Sequence, residues 1–306
     1  MLPSRTLTWG ERLSLTLFGV ESPFVARTTV SPGGTFRFRN LNPGAYSLSI
    51  YVPRVGEILQ TVEITPSFAD TKGRVEKKYL LDEESLRSKA RPIPRGIVSV
   101  RELSIPAKAI KEYQEAQERL RRYEVERAIE HLQKAVEIAP QFVEALNNLG
   151  TIYYQRREYA AAEDSFRQAL KQEPEAFAPL VNLGAVLLAL ERLQESLEIN
   201  QQAQEVRPQD ALANAQLGLN YLLVGEPEKA IQYLDRTKEL DPAHFSNPQL
   251  PLARIYLRRS EQEAALRELE DFLEHHPDSP TAPQVRAMIE EIQEEEASTE
   301  RQRLSL

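Results

Sequence analysis

The chain contains no cysteine, so neither a disulfide framework nor thiolate chemistry is open to it. Histidine is almost as scarce. There are only four, and none stands in a metal-ligand spacing such as H-E-x-x-H. His131 falls on a helix at a position expected to be exposed, His244 follows an Asp-Pro turn, and His275 and His276 read as a solvated helix end. G-x-S-x-G, the P-loop and G-x-G-x-x-G are missing as well. No apolar run approaches the ~18 residues of a membrane-spanning helix. An enzyme, a metal site, a cofactor and a transmembrane segment are therefore not expected. Arg5 and Arg12 precede a short apolar run at 13–20, but Ser14 and Thr16 interrupt it, so no signal peptide is legible either.

Basic charge is concentrated at the front. Residues 1–106 carry a net +5 and residues 107–306 a net −13, within a total of −8. Such asymmetry suggests two units with different work. The acidic part is ill suited to nucleic acid, and the front is only mildly basic and has no DNA- or RNA-binding motif. No nucleic-acid partner is expected.

What the sequence does have is a period. Gly150, Gly184 and Gly218 stand 34 residues apart, and Pro140, Pro174, Pro208 and Pro242 keep the same interval. A fixed period of this length signals a repeat architecture. In residues 143–176, Leu146, Leu149, Gly150 and Tyr153 form one helical stripe, and Ala162, Phe166 and Ala169 a second. Arg156, Arg157 and Glu158 lie between them as a turn, and Pro174 ends the unit. Each unit is a helix hairpin with a small residue on each inner face. Glycine in a helix interior costs about 1 kcal/mol; close packing against Ala162 and its neighbours is expected to offset this at Gly150.

This pattern resembles the tetratricopeptide repeat family. Five units are read, at 109–142, 143–176, 177–210, 211–244 and 246–279, within a helical region 107–279. Ser196 and Asn200 stand where alanine and an aromatic are usual, so the third unit's second helix is expected to pack less well. Pro248 and Pro251 should make the fifth unit's first helix begin late. Residues 280–298 read as a capping helix, with Val285, Met288, Ile289 and Ile292 as its apolar stripe. The tail 299–306 is expected to fray, because acids at a helix C-terminus oppose the dipole.

The front third alternates with period two. Strands are predicted over 12–20, 25–30, 35–41, 46–52, 58–64 and 74–81, with turns at 32–34 and 42–44. Gly34, Phe36, Phe38, Leu41, Pro43, Gly44, Tyr46, Leu48 and Ile50 together resemble the carboxypeptidase-regulatory-like family. That resemblance implies a transthyretin-like β-sandwich over 1–81, non-catalytic and common in exported bacterial proteins, and hence a periplasmic or secreted setting. Residues 82–106, with three prolines and five basic residues, read as a linker. The fold class is thus β plus α: a small antiparallel sandwich followed by an all-α superhelical solenoid.

The family's arrangement implies that the first helix of each hairpin lines a concave groove. The lining of the second unit is then Glu144, Asn147, Thr151, Tyr154 and Gln155; of the third, Ala178, Val181, Ala185, Leu188 and Ala189; of the fourth, Leu212, Ala215, Leu219, Leu222 and Leu223. The last two sets are wholly apolar. They read either as a hydrophobic groove for a peptide, a partner helix or a second copy, or as side chains buried between helices. Gln114, Asn148, Asn182 and Gln216 form a ladder of amides beside them, suited to holding peptide backbone. Tyr113, Gln117, Ala178 and Asn182 occupy the places where chaperone-tail-binding arrays of the family carry basic residues, so recognition of an acidic tail is not expected. The expected function is a protein-interaction scaffold. The alternative is a cell-envelope structural or surface-assembly protein whose sandwich binds carbohydrate or envelope material.

Overall fold

The computed structural model describes residues 13–31, 34–52, 56–71, 73–76, 78 and 104–304. The predicted linker therefore lies outside the described residues, except for its last three. The chain divides into two compact units, 1–209 and 210–306.

The first unit opens with a single antiparallel sheet of four strands in the order β2-β1-β3-β4. These are β1 (Ser14–Gly19), β2 (Val25–Thr29), β3 (Gly44–Val52) and β4 (Gly56–Ile64). Alternation decides which face is apolar. Leu15 and Leu17 on β1 sit beside Ile50 and Leu48 on β3, and with Phe24, Tyr46, Val52, Ile58 and Val62 they form a buried core.

A sandwich requires a second sheet, and none is present among the described residues. Residues 35–41 form no strand, and Asn40 within them has a left-handed φ of 55°. Phe36, Phe38 and Leu41 instead rest on the sheet's core while Arg37 and Arg39 face water. Alternation reports one-sided burial; an unpaired covering segment satisfies it as well as a strand does. Of the predicted strand 74–81, the described residues 74–76 and 78 are irregular.

Three helix hairpins complete this unit. They are α1 (Ala107–Arg121) with α2 (Val125–Ile138), α3 (Val143–Gln155) with α4 (Tyr159–Gln172), and α5 (Phe177–Ala189) with α6 (Leu193–Val206). The glycines do permit close approach, but the neighbour differs from the one expected. A Cβ on Gly150 would lie 2.6 Å from the ring of Phe166, not against Ala162. A Cβ on Gly184 would lie 1.8 Å from Asn200 Oδ1. Asn200 and Ser196 are fully buried, and Ser196 Oγ donates to the Gly184 carbonyl at 2.8 Å. The third hairpin is thus closed by a buried polar pair where the sequence suggested looser packing.

The second unit holds two more hairpins and a cap. These are α7 (Ala211–Leu223) with α8 (Pro227–Leu240), α9 (Gln249–Arg258) with α10 (Gln262–His275), and α11 (Ala282–Leu304). The Asp210 carboxylate caps α7 by accepting from Ala213 N at 2.9 Å. A Cβ on Gly218 would meet Leu234 at 2.8 Å, in the manner of the earlier glycines. Pro248 immediately precedes α9, which has 10 residues where α7 has 13. Ala282, Val285, Ile289 and Ile292 of α11 cover Leu269 and Phe272, while Met288 stays 39% exposed. The helix extends to Leu304.

All five hairpins turn in the same way. Tyr123, Arg157, Glu191, Gly225 and Ser260 each have left-handed φ, between 58° and 82°. In the second hairpin Glu158 N donates to Tyr153 O and Arg157 N to Tyr154 O, which closes a Schellman motif; the same pair of bonds recurs in the other four. Only one of the five positions is glycine.

Candidate partner-binding groove

In the first unit, α1, α3 and α5 are bridged by side chains. Asn148 Nδ2 donates to the Tyr113 hydroxyl at 3.1 Å, and Asn182 Nδ2 donates to Asn147 Oδ1 at 3.0 Å. Asn182 also reaches Thr151 Oγ1 at 3.4 Å. Two members of the amide ladder are therefore already engaged between neighbouring hairpins. Tyr113 is half-buried, and burial first, then the Glu144 carboxylate, push its hydroxyl pKa up.

These bonds also sort the expected lining residues. Asn147 and Val181 hold the same place in successive hairpins. Asn147 contacts the next first helix, so in the second hairpin this place lies in the seam between helices. Val181 is 3% exposed, and Ala215, at the same place in the second unit, is fully buried. Neither belongs to an open surface, which corrects their assignment as groove wall.

The open part of the third hairpin consists of Ala178 and Ala189, which are exposed, with Ala185 and Leu188 half-buried. Asn182 is the only polar side chain on α5. In the second hairpin Tyr154 is exposed, with its ring 5.9 Å from that of Tyr159, while Asn147, Asn148 and Thr151 are half-buried. In the second unit, Leu219 and Leu222 are half-buried and Leu223 is 53% exposed. Gln216 is buried, and its Oε1 finds no hydrogen-bond partner among the described residues.

Sequence reasoning missed what sits on Gln155. Its Nε2 donates to the backbone carbonyls of both Gly19 and Val20, each at 3.1 Å. A second junction involves Tyr123, whose ring stacks on Phe24 with centroids 5.0 Å apart. The Tyr123 hydroxyl accepts from Asn42 N at 3.2 Å and lies 3.4 Å from the Tyr46 hydroxyl. The only local signal was a tyrosine in a turn where its counterparts are charged, glycine or serine.

The histidines also differ from expectation. His276 is fully buried rather than solvated, and His244, after its Asp-Pro turn, is 3% exposed. His276 stacks on Phe272, and the His244 ring is bonded through Nδ1 to Ser246. His131 Nδ1 lies 2.7 Å from Glu112. Among the described residues no group of three or more His, Asp or Glu is placed to hold a metal ion, and no helix is long and apolar enough to cross a membrane.

Residues 143–175 match the tetratricopeptide repeat family, and 123–156 match a TPR repeat description. Over 118 residues the chain is 29% identical to BBSome complex member BBS4 of Bos taurus, covering 39% of this chain and 22% of that protein. Over 151 residues it is 25% identical to anaphase-promoting complex subunit 3 of Schizosaccharomyces pombe, covering 49% and 23%. The chain thus spans less than a quarter of either relative. A Pseudomonas aeruginosa pilF structure superposes with a TM-score of 0.55 at 21% identity, over 65% of this chain and 88% of that one, a likeness of fold.

Proposed function

We propose that this tetratricopeptide-repeat chain is a non-catalytic protein-interaction scaffold. Its partner rests in the first unit on the open side of α5 and the end of α3. The observation that carries this is the composition of α5. A helix apolar on every side is normally covered on every side, yet Ala178 and Ala189 are exposed and Ala185 and Leu188 are only half-buried. Small side chains there leave room for a partner's larger ones. Asn147, Thr151, Asn182 and Tyr154 supply polar contacts at its border. Two of the similar proteins carry names that make them members of multi-protein complexes, which agrees with such a role. A short amphipathic helix suits this surface, because its apolar stripe matches an apolar strip along one helix.

Selection of a random peptide library against the full chain, with counter-selection on Leu188→Glu, tests the reading. Enriched sequences should carry apolar residues at helical spacing and fail to bind the variant. Enriched peptides that bind the variant equally well would place recognition elsewhere.

A second reading rests on the sheet's outer face. Phe18 and Tyr51 are 43% and 39% exposed there, while Thr16 and Ser49 between them are buried and bonded to Arg27 and Glu57. Exposed aromatic rings suit a sugar face. Glycan-array binding lost in Phe18→Ala and Tyr51→Ala, and kept in Leu188→Glu, would favour it over the α5 surface.

A further inference from the structure

Residues 147, 151 and 155 recur at intervals of four and so lie on one face of α3. The last of them, Gln155, is already occupied. Its amide grips two consecutive backbone carbonyls of the 19–24 loop, as an amide would grip a bound peptide. Val25, the next residue of that segment, rests on the core that the first two hairpins share. Phe24 is stacked on Tyr123. The loop is thus held from two hairpins, and it is built tight: a Cβ on Gly19 would lie 2.2 Å from the Ser22 carbonyl oxygen.

We propose that the 19–24 loop is an intramolecular ligand of the groove. It covers the groove at Gln155 and beside the first hairpin, so an outside partner is kept to α5 and the open part of α3 until the sheet is displaced. This rests on the reading of the first helices as a partner surface. Two features make the contact reversible rather than structural. Gln155 Oε1 is buried without a hydrogen-bond partner among the described residues, so the grip is incomplete. The sheet keeps its own core, so releasing the loop need not unfold it.

The absence of cysteine allows a direct test. Gln155→Cys places the chain's single thiol beneath the loop, and Tyr154→Cys places one on the exposed neighbour. In the full chain, a bulky maleimide should label Gln155→Cys at least ~10-fold more slowly than Tyr154→Cys, because buried thiols react slowly. Adding Tyr123→Ala, or Phe24→Leu should the first variant lose helicity by circular dichroism, should remove most of that difference. Equal labelling of the two thiols with Tyr123 and Phe24 intact would overturn the proposal, because the loop would not be resting there. Slow labelling that persists after both substitutions would overturn the reversible part, and the loop would be a fixed wall. Neither result depends on α5 having a partner, so failure here is distinct from failure of the scaffold reading.

Discussion

At the scale of single residues, the left-handed turn positions are open to improvement. Arg157 and Glu191 are exposed and have φ of 61° and 59°. Glycine there removes about 1–2 kcal/mol of backbone strain and costs about 0.5–1 kcal/mol in unfolded-chain entropy. Glu191→Gly should raise stability by up to about 1 kcal/mol, read as a higher urea midpoint at constant slope. A lower midpoint would mean that the hairpin does not need this φ. The opposite holds at Gly184, where a methyl group would collide with Asn200. Gly184→Ala should cost about 1–3 kcal/mol, typical of overpacking, and Asn200→Ala in the same chain should recover part of it. Strict additivity of the two changes would show that Asn200 does not occupy that space.

The elements show how far sequence patterns reach. The five hairpins were legible because glycine, proline and apolar stripes all repeat at one interval, so independent signals agreed. The seam was not legible. The spacing that puts Val181 and Leu188 on α5 does not say which of them is covered, and Val181 proved buried while Leu188 is half open. Val181→Glu should therefore cost several kcal/mol, as an unpaired buried charge does, whereas Leu188→Glu should change stability by less than about 1 kcal/mol. Equal losses in thermal unfolding would return both residues to the core. The sheet was half legible. Alternation marked its strands, but it also marked 35–41, because pairing is a property of two segments and periodicity describes only one.

For the molecule as a whole, pH acts on the second unit through His244. Burial first, and the neighbouring His276 second, lower its pKa from 6.5 to about 3. The folded state thus keeps this ring neutral while the unfolded chain protonates it below about 6.5. The resulting stability is fully present above that value and is lost as pH falls toward 3, with a slope of at most ~1.4 kcal/mol per pH unit. Between pH 7 and 5, where most carboxylates stay ionised, the transition of 210–306 should weaken, and His244→Asn should flatten that dependence. An unchanged slope in the variant would mean that other groups set it.

Tyr123 serves two masters. Its left-handed backbone closes the first hairpin, a task any glycine performs better, while its ring and hydroxyl fasten the sheet. Improvement of one is thus damage to the other. Tyr123→Gly should make the first hairpin harder to melt and the sheet easier to melt, so that one calorimetric peak separates into two moving in opposite directions. A gene carrying these repeats could drift toward glycine at Arg157, Glu191 or Ser260 without losing that attachment. At Tyr123 the same drift would detach the front of the chain, leaving the first turn as the one whose imperfection has a purpose.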